Sequence, residues 1–288
     1  MPSSDGSVTR IGGRDFVWGA RTYVMAIVNL SPDSFAGDGL ADRDAGVEQA
    51  LRMAADGADL IDVGGQSTRP DFAEIGVEAE LARVIPAIEA LAARTDVPIS
   101  VDTYRAPVAE AAFNAGAALL NDIWGLRRDP TLAALLARVG APAVLMHNQR
   151  GRNPSTGAGH GTSDVIGEIR HGLRTSLAIA HAAGVPGERL ILDPGFGFGW
   201  RPEQNLEMLR RLGELRDLGR PLLIGTSRKS TIGAVLDLPA EQRLFGTAAT
   251  VALAIANGAD LVRVHDVAEM VQVSRMTDAV VRGRWRST

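Results

Sequence analysis

Eight short apolar runs alternate with longer segments of helical period from about residue 23 to the end of the chain. The runs are YVMAIVN (23–29), LIDV (60–63), PISVD (98–102), ALLND (118–122), PAVLMH (142–147), LILD (190–193), PLLIGTS (221–227) and LVRVH (261–265). Between them lie segments such as VEQALRMAADG, VEAELARVIPAIEALAAR and NLEMLRRLGELRDLG, whose apolar residues recur every three or four positions. Strand-helix alternation implies parallel pairing, and runs without polar alternation suit strands buried on both faces. Eight such units in about 260 residues fit a (β/α)8 barrel better than an open doubly wound sheet, which usually has fewer strands and a glycine-rich fingerprint after the first. The predicted fold is therefore α/β: one TIM barrel domain spanning 1–288 with a core over about 22–282. A short N-terminal hairpin over 8–20 is expected to close the barrel bottom. Punctuation supports this register. Asp129-Pro130 and Arg201-Pro202-Glu203 read as helix starts, and Gly-Ala-x-Leu recurs at 57–60, 116–119 and 258–261, each time ending a helix and entering a strand.

The 288 residues are 45% hydrophobic and 22% charged, with a formal net charge of −4 and no cysteine. This excludes a disulfide scaffold, a disordered chain and a supercharged nucleic-acid binder. No apolar run approaches the roughly 18 residues of a membrane span, and the opening MPSSDGSVTR lacks a signal-peptide core. The expectation is a cytoplasmic protein acting on small molecules, with neither nucleic acid nor membrane as partner. The basic tail RGRWRS (282–287) reads as a solvated end. One compositional detail is sharper: among 30 basic residues, Lys229 is the single lysine. A compact ammonium kept where every other cation is a guanidinium suggests a site that a planar group does not fit.

In a barrel of this kind the working face lies at the C-terminal strand ends. The polar residues there are Asn29, Asp62, Asp102, Asn121 with Asp122, His147, Asp193, Ser227 with Lys229 beyond it, and Arg263 with His265. Arg69, Arg228, Lys229, Arg263 and His265, together with nearby hydroxyls, suit a phosphate or pyrophosphate. Asn29 suits a hydrated Mg2+ set against those oxygens, because Mg2+ keeps most of its waters. Asp102, Asn121 and Asp193 suit a flat heterocycle with adjacent N–H groups. DPGFGFGW is neither a GxGxxG fingerprint nor a P-loop; its glycines allow a tight turn, with Phe198 either facing a ligand or packing in the core. A zinc hydrolase site built from His147, His265, Asp102 and Asp193 is disfavoured, since no H-x-H or H-E-x-x-H pair is present.

Taken in order, MAIVNLSPDSF (25–35), GADLIDVGGQSTRP (57–70), SVDTYR, LLNDIWGL, LDPGFGFG, GTSRKS and RVHDV resemble the signatures of the dihydropteroate synthase family, over nearly the whole chain. That resemblance implies a pterin-binding barrel that joins 6-hydroxymethyl-7,8-dihydropterin pyrophosphate to p-aminobenzoate with Mg2+, a reaction of folate biosynthesis targeted by sulfonamides. It implies that Asp102, Asn121, Asp193 and Lys229 hold the pterin, and that Asn29, Arg69, Arg263 and His265 hold the pyrophosphate and metal. Thr68, Pro70, Phe198 and Ser227 would surround p-aminobenzoate. Asp102, Lys229, Arg263 and His265 would carry the chemistry. A homodimer through the last helices is also implied.

Two loops depart from the family pattern. Ala36-Gly37-Asp38-Gly39 stands where Ser-Asp-Gly-Gly is common. Gln66 replaces the usual Glu, and Asp71 follows Pro70 where Gly is common. The polar stretch 148–162 is longer than an ordinary connection. Two other readings use the same barrel: a pterin-binding paralogue that does not condense its ligand, and a module delivering methyl groups from methyltetrahydrofolate to a corrinoid protein. The second leaves Arg69, Lys229, Arg263 and His265 without a phosphate to hold.

Overall fold

A computed structural model describes residues 6–30, 39–66, 74–150 and 163–283. Eight parallel strands form the barrel: β3 (Tyr23–Asn29), β4 (Leu60–Gly64), β5 (Ile99–Asp102), β6 (Leu119–Asp122), β7 (Ala143–Met146), β8 (Leu190–Asp193), β9 (Leu223–Ile224) and β10 (Leu261–Val264). Their order is β8-β7-β6-β5-β4-β3-β10-β9, and a parallel bridge from Leu192 to Leu222 brings the two ends together. Seven of the eight strands fall within the predicted runs, and β4 runs one residue past LIDV, to Gly64. The helices α1 (Gly39–Ala55), α2 (Val77–Ala92), α3 (Ala106–Ala115), α4 (Leu132–Val139), α5 (Val165–Ala182), α6 (Pro202–Arg210), α7 (Ser230–Leu236), α8 (Leu244–Ala256) and α9 (Val267–Arg282) lie between or after the strands. The helix-ending glycines of the repeated phrase, Gly57, Gly116 and Gly258, take φ of +103°, +114° and +98°, a conformation that L side chains rarely adopt.

The expected hairpin is β1 (Val8–Ile11) paired antiparallel with β2 (Arg14–Val17). It plugs the bottom of the barrel. Ile11, Phe16 and Trp18 join Tyr23, Met25, Leu60, Leu119, Val144, Ile191, Leu223 and Leu261 in one buried cluster, where a full-sized apolar side chain stabilises by about 2–3 kcal/mol. Trp18 Nε1 donates to Thr9 Oγ1 at 2.9 Å, and the Val17 N–H donates to Tyr23 Oη at 2.8 Å, so the buried aromatic polar atoms are satisfied. A second, larger core fills the layer between strands and helices. With the lower interior filled by apolar side chains, the polar strand-end residues are left to the upper mouth.

Three local expectations change. NLEMLRRLGELRDLG is not one helix: α6 stops at Arg210 and a 3-10 turn runs Leu212–Leu218. A Cβ at Gly213 would lie 3.2 Å from Asn257 O, so the chain approaches the end of α8 too closely for a straight continuation. Asp129-Pro130 lies just before α4 instead of opening it. Asp129 accepts the Thr131 N–H at 2.9 Å through one oxygen and the Ala106 N–H at 2.8 Å through the other, tying the starts of α4 and α3. In the basic tail, Arg282 is not solvated. Its guanidinium donates to Asp278 Oδ1 at 2.7 Å and to the Ala259 carbonyl at 3.1 Å, while Asp278 also accepts the Thr22 N–H at 2.6 Å. The last turn of α9 is thereby fastened to the start of β3. Among the described residues no helix is long and apolar enough to cross a membrane.

Candidate active site

Strand register sets the geometry of the mouth. Asn29 pairs with Gly64, Gly64 with Asp102, and Asp102 with Asn121, so four successive strands end at one level. Gly64 contributes no side chain, and a Cβ there would sit 3.4 Å from Asp102 Cβ and 3.7 Å from Asn29 Oδ1. Space is thus kept between a neutral amide oxygen and a carboxylate.

Arg263 on β10 is the hub. Its Nε donates to Asp62 Oδ2 at 2.6 Å and its Nη2 to Asp102 Oδ2 at 2.9 Å. Asp62 is fully buried and also accepts from Asn121 Nδ2 at 2.8 Å. One carboxylate therefore orients both a cation and an amide on strands far apart in sequence. Sequence reasoning placed Asp62 in the strand-end ring without giving it a role. Its signal was the buried carboxylate itself, which requires a cationic partner. Burial pushes the Asp102 carboxyl upward, with Arg263 opposing that rise.

Lys229 lies across the mouth. Its ammonium donates to the Phe196 carbonyl and sits 4.6 Å from the Phe198 ring centroid. Burial pushes its pKa down to about 7; Asp193 pulls it back up, and Arg263 and Arg150 push it further down. Asp193, raised by its own burial with Lys229 opposing, accepts the Gly195 N–H at 2.7 Å. The glycine-rich turn is shaped around this lysine. Gly197 has φ +80°, and a Cβ on it would stand 2.8 Å from Lys229 Cδ. Phe198 is nearly buried between two cations, with the Arg150 guanidinium 4.4 Å from its centroid on top of the Lys229 contact, and it clusters with Tyr104, Ile123 and Met146.

Ser227 and His265 form a third unit: Ser227 Oγ lies 3.0 Å from His265 Nδ1 and accepts the His265 N–H at 3.2 Å. Burial, reinforced by Arg263 and Arg228, holds the His265 imidazole at about 3. In the free site this favours the neutral ring, which reaches its neighbours as a hydrogen-bonding group.

Asn29, Asp102, Asn121, Asp193, Phe198, Ser227, Lys229, Arg263 and His265 all stand at the C-terminal end of the barrel. Thr68, Arg69, Pro70, Asp38, Asp71 and most of 148–162 lie outside the described residues. Two ring members turn away. Asp122 accepts the Trp124 and Leu126 N–H groups at 2.8 and 2.6 Å and shapes the turn after β6. His147 is buried against α5, where a Cβ at Gly172 would fall 1.9 Å from its Nδ1. Gln66 accepts the Ile75 N–H at 3.3 Å, beside the Tyr104 hydroxyl that donates to Glu74 at 2.6 Å. Among the described residues no group of three or more His, Cys, Asp or Glu could hold a metal. The donors present suit a hydrated hard cation that draws its other ligands from a substrate.

Residues 25–265 match the family model described as pterin binding enzyme. Dihydropteroate synthase of Clostridium beijerinckii is 45% identical over 275 residues, covering 95% of this chain and 99% of that protein. The Clostridium difficile dihydropteroate synthase solved in the presence of pteroic acid superposes with a TM-score of 0.86 at 46% identity, over 91% of this chain and 98% of that one. The Xanthomonas albilineans enzyme solved with 4-aminobenzoic acid gives a TM-score of 0.88 at 41% identity, over 96% and 98%. With the strand-end carboxylates, the buried lysine and this full-length likeness in hand, the chain belongs to the pterin-binding enzyme family.

Proposed function

We propose that the site is that of a dihydropteroate synthase, joining 6-hydroxymethyl-7,8-dihydropterin pyrophosphate to p-aminobenzoate with release of pyrophosphate. The carrying observation is the pairing of buried carboxylates with fixed cations at one mouth: Asp102 on Arg263, and Asp193 beside Lys229. Asp102, Asn121, Asp193 and Lys229 take the pterin. A carboxylate accepts from adjacent ring and amino N–H groups, and Asn121 is already oriented by Asp62. Arg263 and His265, with Arg69, take the pyrophosphate. Phe198 and Ser227, with Thr68 and Pro70, surround p-aminobenzoate.

As the bond from the pterin methylene to the pyrophosphate oxygen breaks, positive charge spreads into the reduced ring and negative charge gathers on the leaving group. Asp102 faces the first charge and the Arg263 guanidinium the second; both are held before reaction, so little reorganisation is needed. The arylamine nitrogen attacks the methylene carbon and releases its proton to solvent or to the departing pyrophosphate. An arylamine needs positioning more than a strong base. Asn29 would hold a hydrated Mg2+ at the pyrophosphate oxygens, where the ion supplies charge neutralisation.

We further infer a cytoplasmic homodimer. The absence of cysteine in the sequence suits a reducing compartment. Phe245 is 84% exposed on α8, and Met276 and Val280 are 65% and 72% exposed on α9, leaving neighbouring apolar faces for a second copy. Light scattering at twice the monomer mass supports this; a monomer at micromolar concentration refutes it. The activity itself is tested by following dihydropteroate and pyrophosphate together from the two substrates, with and without Mg2+. Equal, metal-dependent appearance of both is expected, and binding without products would overturn the synthase reading.

A further inference from the structure

Between Ser227 and Lys229 the backbone does something a non-glycine residue rarely does. Arg228 has φ +57°, in the left-handed region, and it separates two site residues. A side chain stays there only when its surroundings hold it. Three contacts hold Arg228, and a fourth steadies the chain just before it. The Arg228 N–H donates to Thr247 Oγ1 at 3.1 Å, and the Arg228 carbonyl accepts from Arg243 Nη1 at 2.9 Å. Arg228 Nε donates to Asp266 Oδ2 at 3.0 Å, which ties this loop to the one carrying His265. Two residues earlier, Thr226 Oγ1 and Thr250 Oγ1 are hydrogen-bonded at 2.9 Å.

These partners are built for the task. Thr247 is fully buried in the first turn of α8. Arg243, just before that helix, also donates from Nε to the Leu238 carbonyl at 2.8 Å, so its guanidinium is fixed at both ends. It lies over Gly233 of α7, where a Cβ would fall 2.2 Å from Nη2. α8 therefore grips the backbone of 226–228 from one side, while the Lys229 side chain leaves the other side toward Phe196 and Phe198.

We propose that Thr247 and Arg243 are positioning residues for the reaction: they hold Arg228 in its left-handed conformation and so aim the Lys229 amine into the pterin site. The proposal rests on the synthase reading for what Lys229 does, while the clamp's geometry stands independently of that reading. Its consequence is specific. If the clamp matters only because it fixes a backbone conformation, glycine at 228 should make it dispensable, since glycine adopts φ near +57° unaided.

Because Lys229 is the only lysine, its amine can be followed directly. An amine-selective acylating reagent, used in trace amount from about pH 6 to about pH 11, gives the titration of that one side chain by mass spectrometry of its peptide. The groups facing it are Asp193, Asp102, Arg263 and Arg150. In the native protein the midpoint is expected near 7. Thr247→Val should move it upward by one pH unit or more and raise KM for the pterin pyrophosphate by about tenfold. Thr247→Ser, which keeps the hydroxyl, should behave as wild type. Thr247→Val combined with Arg228→Gly should return the Lys229 midpoint. Arg243→Met supplies the same loss by a second route should the valine variant fold poorly. Unchanged titration and KM in both Thr247→Val and Arg243→Met would overturn the proposal, as would failure of glycine at 228 to restore the midpoint. A wild type that titrates near 7 and responds to the clamp yet forms no dihydropteroate would sink the synthase reading and leave the clamp standing.

Discussion

Replacing Lys229 by Met should make the protein more stable while removing its activity. The amine falls from its ordinary 10.5 to about 7 because it is buried among other cations. At ~1.4 kcal/mol for each tenfold change in proton affinity, the charged form carries a penalty of about 5 kcal/mol. Removing it leaves Asp193 without its ammonium neighbour, which takes back on the order of 1–2 kcal/mol. The net gain at pH 7 is therefore about 2–3 kcal/mol, once loss of the bond to Phe196 is included. The pH dependence gives the sign. Between about pH 7 and 10.5 the unfolded chain holds a proton on this lysine that the folded chain has released, so wild-type stability rises with pH across that window. The advantage of Lys229→Met is full below pH 7 and fades as pH rises toward 10.5. Urea denaturation of both proteins at about pH 6.5 and about pH 9.5 reads this directly. A methionine variant no more stable at pH 6.5, or a gain that does not shrink by pH 9.5, refutes the reasoning. Its turnover should fall by about two to three orders of magnitude, the usual scale for losing a preorganised polar group.

Three further outcomes follow from the same geometry. Asp62→Ala leaves Arg263 and Asn121 without their common partner; it should cost about 3–5 kcal/mol in denaturation and depress kcat/KM, and a normal value of both would remove Asp62 from the site's framework. Binding of the pterin pyrophosphate near pH 8 should take up protons, because an anion favours the charged form of Lys229, which is held near 7 in the free site. Calorimetry in buffers of different ionisation enthalpy would show a buffer-independent heat if this is wrong. Gly172→Ala drives a Cβ into His147 and should destabilise by about 1–3 kcal/mol with little change in KM, whereas an unchanged melting temperature contradicts the packing.

The barrel was readable in the sequence because parallel strands buried on both faces leave uninterrupted apolar runs, and glycine-ended helices mark their starts. What the runs could not give was length and direction. PLLIGTS is seven residues long in sequence, but the strand is only Leu223–Ile224, with a single bridge at Leu222 before it. Asn121 and Asp122 are adjacent and equally polar, yet strand alternation sends one to the mouth and the other to its own turn. His147 looked like a mouth residue and packs outward instead. The role of Asp62 depends on a partner 201 positions away, and that of Thr247 on a backbone angle at Arg228; neither leaves a local trace in composition or period. His265 was grouped with the cations by residue type, and burial lowers its proton affinity.

The central claim is that paired carboxylates and cations at this barrel mouth condense a pterin pyrophosphate with an arylamine. It is tested most directly by incubating the purified protein with 6-hydroxymethyl-7,8-dihydropterin pyrophosphate and p-aminobenzoate and measuring both products with and without Mg2+. One dihydropteroate for each pyrophosphate, dependent on the metal and lost in Lys229→Met, is the result the structure predicts. Pyrophosphate released without dihydropteroate, or no product from a protein that binds the pterin, would contradict it.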